Sequence, residues 1–159
     1  TLKAIARTVD QFLRRPRELD AALLAVNDDD MFMRYVREAM RFNPQNHVLF
    51  RWCEQLYKLG GVDIPPGSLV FAATLSAMFD PGKFPDPEEF SIDPQKRHQE
   101  DYLFFGHDLH QCLGQYISEV QIREVLKQVL KLPKLRRAKY DQYNPLDLLP
   151  LHFMLEFDA

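Results

Sequence analysis

The segment 80–101 most limits how this chain folds. It contains four prolines and many charged residues. Proline lacks the backbone N–H that helices and central strands need, so no long regular element is expected there. Because apolar stretches flank the segment on both sides, we expect an ordered but irregular loop. Such a loop is longer than most loops in compact domains, and loops of this length are often functional.

Helical periodicity dominates the chain before this loop. Apolar residues recur at three- and four-residue spacing over 2–14, 16–26 and 31–42, which predicts three amphipathic helices. Pro16 suits the first turn of the second helix. Asp30 is the expected N-cap of the third helix, because a carboxylate there accepts a hydrogen bond from a free backbone N–H.

The remaining elements follow from turn signals and apolar spacing. Turns at Gly60-Gly61 and Pro65-Pro66-Gly67 separate short apolar runs, which predicts a small antiparallel sheet between about residues 47 and 72. After the loop, a stripe predicts a long helix over 113–131, made by Leu113, Ile117, Val120, Val125, Leu126, Val129 and Leu130. Apolar residues between 146 and 157 suggest a closing hairpin. The expected fold is one domain over 1–159, mainly α with a small antiparallel β-sheet.

Composition excludes several classes of protein. The 159 residues carry a formal net charge of -3 and are 46% hydrophobic, as in ordinary globular domains. Near-neutral charge argues against a general nucleic-acid partner. No apolar run approaches the ~20 residues of a membrane span. Two cysteines form no disulfide scaffold and no signal peptide opens the chain, so we expect a cytoplasmic location. Membrane attachment through residues before Thr1 stays open.

The segment Phe105–Gly114 carries the most chemistry. Cys112 lies at the start of the predicted long helix, where the positive end of the helix dipole stabilises a thiolate. A thiolate is the form of cysteine that binds soft metals. Glycines at 106 and 114 allow the backbone to approach the sulfur or a flat ligand closely.

Three interpretations of Cys112 are open from these residues alone. The first is an inert, half-buried thiol at a helix start. The second is a zinc site formed with His107 and His110, which lacks a fourth ligand at the usual spacing. The third is a haem iron held by a single axial thiolate.

Motifs spread along the chain then favour the third interpretation. From Thr1 to about Leu135, the sequence resembles the cytochrome P450 (haem-thiolate) superfamily. The resemblance covers only the C-terminal, cysteine-bearing part of that family, and its motifs occur in the same order. The matching motifs are Glu38-Ala39-Met40-Arg41 followed by Phe42-Asn43-Pro44, then Phe50-Arg51, Gly60–Gly67, Phe79–Phe90, and Phe105-Gly106 with His110, Cys112 and Gly114. The tail also weakly resembles P450-like regions fused to peroxidase domains.

The resemblance implies a haem b cofactor and a role for each residue of the cysteine loop. Cys112 is implied to be the axial ligand of the iron and the catalytic thiolate. Arg51 and His110 are implied to contact the two haem carboxylates, for which a guanidinium is well suited. Phe105 is implied to pack near the sulfur, and Gly106 and Gly114 to keep the loop close to it.

The resemblance also implies roles outside the loop. Glu38 and Arg41, one helical turn apart, are implied to join their helix to the irregular loop. From the residues alone they could equally form a surface salt bridge worth ~0–1 kcal/mol. Val48 and Leu49 are implied to line the substrate pocket, with ordinary strand core as the other interpretation.

Two residues depart from the family pattern. Asp108 stands where the second glycine of the loop is expected, although Asp accepts a left-handed backbone better than most residues. Pro94 stands where an arginine is expected, and Arg97 is the candidate replacement with a shifted register. These departures bear on oxygen activation more than on haem binding.

The implied activity is a haem-thiolate monooxygenase. It would oxidise a small apolar or lipid substrate with O2 and electrons from a ferredoxin or flavoprotein reductase. The alternatives are a haem-thiolate isomerase or dehydratase of fatty-acid hydroperoxides, and a non-catalytic fragment or decayed homologue. Since the N-terminal half of the family is absent, we expect it in a longer form of this chain or in a separate chain.

A run of basic residues that contains no acid extends from Lys127 to Lys139. Cations at a helix C-terminus interact favourably with the dipole, which predicts a solvated helix end. A docking face for an acidic electron donor is the second interpretation.

Overall fold

A computed structural model describes residues 1–139, 141 and 152–158. The three predicted N-terminal helices are present: α1 is Leu2–Leu13, α2 is Pro16–Leu24 and α3 is Asp29–Phe42. Helix α3 begins two residues earlier than expected.

The expected N-cap of α3 at Asp30 is wrong, because Asp28 takes that position. Asp28 has an extended backbone, and its side chain accepts a hydrogen bond from the Met31 N–H at 3.0 Å. Asp29 and Asp30 then lie in the first helical turn, where their charges suit the helix dipole.

The predicted small sheet consists of two separate antiparallel pairs. Strand β1 (Leu49–Trp52) pairs with β4 (Leu69–Ala72), with Leu49 opposite Ala72. Strand β2 (Tyr57–Leu59) pairs with β3 (Val62–Ile64). Their two-residue connection needs positive φ at both positions, and Gly60 and Gly61 provide it at 56° and 83°.

The rest of the chain carries short elements and one long helix. Helix α4 is Thr74–Ala77, and 3₁₀ turns lie at Gln99–Asp101 and Asp108–His110. Helix α5 is Gln115–Leu130, close to the predicted bounds. Strands β5 (Arg136–Arg137) and β6 (Leu155–Glu156) form a short antiparallel pair. The predicted tail hairpin lies partly outside the described residues, at 142–151.

The hydrophobic core lies where α1, α2 and α3 meet the C-terminal half of α5. Phe12, Phe32 and Val36 are fully buried there against Ile122 and Leu126. The predicted stripe of α5 is therefore wrong in its first half, where Leu113, Ile117 and Val120 are exposed. Apolar spacing locates a stripe but does not tell which part of it another element covers.

Among the residues that the structure describes, no helix combines the length and the apolar character needed to cross a membrane.

Candidate functional site

Most of the sequence-predicted site residues line one cleft. The cleft has a volume of about 350 Å³ and lies between the start of α1, the end of α3, β1 and the segment 103–112. The predicted residues that contribute to its wall are Leu49, Arg51, Phe105, Gly106, His110 and Cys112. Val48 and Gly114 are not part of this wall, and Glu38 and Arg41 lie outside it.

Backbone hydrogen bonds fix Cys112 between the loop and α5. The Cys112 N–H donates to the carbonyl oxygen of Phe105 at 2.7 Å, and the Cys112 carbonyl accepts from Gln115 N–H at 3.1 Å. The inert interpretation expected a half-buried thiol, but Cys112 is exposed. Its position just before α5 places it near the positive end of the helix dipole.

Two residues of the loop have left-handed backbone conformations. Gly106 has φ 81°, and a Cβ atom placed there would collide with the carbonyl oxygen of His110. Only glycine fits such a position without displacing the turn. Asp108 has φ 51°, so the loop keeps the turn with aspartate where glycine was expected.

Gly114 is less constrained than Gly106. A Cβ atom at Gly114 would lie 3.9 Å from Cys112 Sγ, which is ordinary van der Waals contact. The structure thus supports a steric requirement for glycine at 106 but not at 114.

The two expected carboxylate-binding residues, Arg51 and His110, both line the cleft. Arg51 is exposed on β1 and donates to the carbonyl oxygen of Phe50 at 2.8 Å. His110 is exposed at the end of the 3₁₀ turn before Cys112. A cleft with two basic side chains and one thiol is suited to a ligand that carries carboxylates and a soft metal.

The zinc interpretation finds no support in the described part of the chain. It contains no cluster of three or more His, Cys, Asp or Glu side chains arranged to hold a metal ion. His107 and His110 therefore do not form such a site with Cys112.

The Glu38–Arg41 pair is buried, so a surface salt bridge is the wrong interpretation. Both side chains are 0% exposed, and Arg41 donates Nη2 to Glu38 Oε1 at 2.8 Å and Nε to Oε2 at 2.9 Å. Arg97 joins them, with its Nε 2.9 Å from Glu38 Oε1. Pro94 stands where the family pattern has an arginine, and this contact agrees with the expectation that Arg97 takes the place of that arginine.

The two arginines attach the irregular loop to α3 through its backbone. Arg41 donates to the carbonyl oxygens of Met78 and Pro87, at 2.9 and 2.8 Å. Arg97 donates to those of Pro85 and Glu89, at 2.7 and 2.8 Å. The proline-rich loop thus takes its order from side chains where regular backbone pairing is impossible.

Sequence reasoning missed Tyr102 as a member of this cluster. Its hydroxyl donates to Glu38 Oε2 at 3.0 Å. Burial and the negative charge of Glu38 raise the pKa of Tyr102 well above its usual range, so the hydroxyl stays protonated and remains a donor. No local motif indicated this contact, since 64 residues separate the two side chains.

Acidic residues, most of them distant in sequence, pair with at least four of the six residues of the basic run. Lys127 contacts Asp29, Lys134 and Arg136 contact Asp158 at 2.6 and 3.1 Å, and Arg137 contacts Asp10 and Asp141. This pairing favours the solvated helix end over a docking face for an acidic donor.

Sequence comparisons identify a family for this chain. A family model described as Cytochrome P450 matches residues 18–154. Cytochrome P450 107B1 of Saccharopolyspora erythraea is 31% identical over 140 residues, which cover 87% of this chain and 33% of that protein. Linoleate diol synthase of Gaeumannomyces graminis is 39% identical over 72 residues, which cover 45% of this chain and 6% of that protein.

The fold agrees with the same family. A solved structure of a cytochrome P450 from Chondromyces apiculatus has a TM-score of 0.79 and 25% identity, and the match covers 98% of this chain and 40% of that one. The chain spans about a third of the length of curated relatives such as Cytochrome P450 107B1. The chain belongs to the cytochrome P450 family.

Proposed function

We propose that this chain supplies the cysteine side of a haem-thiolate site, with Cys112 as the axial ligand of the iron. The observation that carries the proposal is the exposed Cys112 thiol in a cleft that Arg51 and His110 also line. The donors fit haem b, because one soft anionic ligand suits the iron and two basic groups suit the carboxylates at the porphyrin edge.

The residues around Cys112 have distinct tasks in this proposal. The start of α5 directs the positive end of its dipole towards the iron ligand, and the hydrogen bond from the Cys112 N–H to the Phe105 carbonyl fixes the backbone at Cys112. Phe105 borders the cleft beside the sulfur and limits water there. Arg51 and His110 orient the cofactor through its carboxylates. When bound, a haem with a thiolate ligand supplies the oxygen-activating chemistry that favours O–O cleavage.

The activity proposed for the complete protein is a monooxygenase that oxidises a small apolar or lipid-like substrate. Leu49 contributes an apolar side chain to the same cleft. Electrons would come from a ferredoxin or flavoprotein reductase. Since this chain spans about a third of its relatives, the opposite haem face would come from further residues of the same polypeptide or from a partner chain.

The test uses the native polypeptide that contains this chain. It is loaded with haem, reduced and exposed to carbon monoxide, and the visible spectrum is recorded. We expect a strongly red-shifted Soret band in the parent and in Cys53→Ser, and its loss in Cys112→Ser. Cys53 is the matched control, because it is the other free cysteine and lies outside the cleft wall. Persistence of the band in Cys112→Ser would refute the ligand assignment, and absence of haem binding would favour a non-catalytic fragment.

A second candidate is a haem-thiolate isomerase or dehydratase of fatty-acid hydroperoxides. The similarity to Linoleate diol synthase motivates it. Such a reaction needs no electron donor, since the substrate already contains the O–O bond. Consumption of a fatty-acid hydroperoxide without any reductant would favour this candidate. Product formation only with O2 and a reductant would favour the monooxygenase.

A further inference from the structure

We propose that Tyr102 is a positioning residue that couples the buried carboxylate of Glu38 to the backbone turn that holds Cys112. This inference rests on the haem-thiolate site proposed above. It assigns to the Tyr102 hydroxyl a role in how the sulfur is presented to the iron, in addition to any role in stability.

The Glu38 carboxylate is a fixed point to which Tyr102 is attached. The Glu38 side chain is 0% exposed. Its oxygens accept from Arg41, from Arg97 Nε at 2.9 Å and from the Ser91 N–H at 3.1 Å. These donors hold Glu38 to α3 and to the irregular loop. The Tyr102 hydroxyl, 3.0 Å from Oε2, connects the same carboxylate to the segment that leads to Cys112.

A short covalent and hydrogen-bonded path joins Tyr102 to Cys112. Immediately after Tyr102, the Gly106 N–H donates to the carbonyl of Leu103 at 3.0 Å, which closes a turn. Phe105, inside that turn, accepts the Cys112 N–H at 2.7 Å. A displacement of Tyr102 therefore moves the carbonyl group to which the cysteine backbone is attached.

Aromatic packing fixes the Tyr102 ring but not its hydroxyl. The ring centroid lies 5.5 Å from that of Phe84 and 5.2 Å from that of Phe104. Phenylalanine at 102 preserves these contacts and removes only the hydrogen bond to Glu38. The substitution thus separates the coupling from the packing.

The experiment compares Tyr102→Phe with Tyr116→Phe in the haem-loaded native polypeptide. Tyr116 is the matched control, because it loses the same hydroxyl from an exposed ring on α5. Residues that orient a metal ligand typically change metal affinity by about 10–100-fold when mutated. Because Tyr102 acts through the backbone turn, we expect the lower end, about 10-fold faster haem loss, in Tyr102→Phe alone.

The spectrum of the reduced carbon monoxide complex supplies a readout that a purely structural role would not change. We expect Tyr102→Phe to convert part of the red-shifted Soret band to an unshifted band, at a temperature where circular dichroism shows a fully folded protein. A band and a rate of haem loss equal to those of Tyr116→Phe would overturn the inference, even if Tyr102→Phe is less stable. The parent protein tests the proposed function separately, since it must show the red-shifted band in either case.

A second pair of variants covers a failure of Tyr102→Phe to fold. Tyr102→Gln retains an N–H donor on a shorter side chain that faces Glu38, and Tyr102→Leu presents a branched apolar side chain without a donor. A larger red-shifted fraction in Tyr102→Gln than in Tyr102→Leu supports the coupling. Equal fractions in the two variants overturn it, because a donor at position 102 would then have no effect on how the sulfur is presented.

Discussion

Replacing Glu38 by glutamine should strongly destabilise this chain. The change removes the negative charge between the buried guanidinium groups of Arg41 and Arg97, whose side chains are 0% and 2% exposed. In the parent, the guanidinium N–H groups of Arg41 and Arg97 donate to the Glu38 carboxylate. In the variant, one of those acceptor oxygens is replaced by an amide N–H₂ group, which is itself a donor.

The magnitude follows from the burial of these groups. Removing one partner of a buried ion pair leaves an uncompensated charge and typically costs about 3–5 kcal/mol. For a chain of this size each kcal/mol lowers the melting temperature by about 2–4 °C, so we expect a decrease of roughly 6–20 °C. The free energy of unfolding should be measured by urea denaturation, together with the melting temperature.

Glu89→Gln is the control for this measurement. Glu89 lies on the same irregular loop, but its side chain is 56% exposed and pairs with Lys96 at 3.0 Å. Such a surface pair contributes about 0–1 kcal/mol. A loss below about 1 kcal/mol in Glu38→Gln, equal to that of the control, would refute the view that the buried carboxylate organises the loop.

Three further predictions concern the cysteine loop and the end of α3. Gly106→Ala should lower the free energy of unfolding by more than about 1 kcal/mol, because φ is 81° and the new Cβ meets a backbone oxygen; urea denaturation measures the loss. Asp108→Gly should change the free energy of unfolding by less than about 1 kcal/mol, because the relief of backbone strain at φ 51° is offset by a more flexible unfolded chain. Asp108→Val should lower the free energy of unfolding by about 1–2 kcal/mol, and equal losses in the two variants would contradict this reasoning. Burial, with the charges of Arg7 and Lys3, lowers the pKa of His47 in the folded state. The unfolded chain therefore takes up the proton first, so stability is complete above about pH 6.5 and decreases as the pH falls through the folded pKa. Unfolding measured from pH 8 to pH 5 should show this decrease in the parent and a weaker one in His47→Gln.

Sequence reasoning succeeded where the determinants are local. The spacing of apolar residues located α1, α2 and α3, and the pair Gly60-Gly61 located a tight turn. Several motifs, each short and local, together indicated the family from their order along the chain before any geometry was known. These features depend on residues close together in the chain.

The missed features depend on contacts between distant residues. Tyr102 reaches Glu38 across 64 residues, and the acids that neutralise the basic run come from other elements. The exposed first half of α5 could not be distinguished from its buried second half, since both carry apolar residues at helical spacing. Spacing therefore indicates which face is apolar, and tertiary structure decides which part of it is covered.

The way Arg97 is used affects how related sequences should be searched. Its guanidinium contacts one carboxylate and otherwise main-chain oxygens, such as those of Pro85 and Glu89. Every amino acid supplies a main-chain oxygen, so such an arginine can make these contacts from several positions along an irregular loop. A sequence pattern that requires this arginine at a fixed number of residues before the cysteine would overlook proteins built like this one. A criterion that asks only whether an arginine of the loop can reach the buried glutamate would retain them.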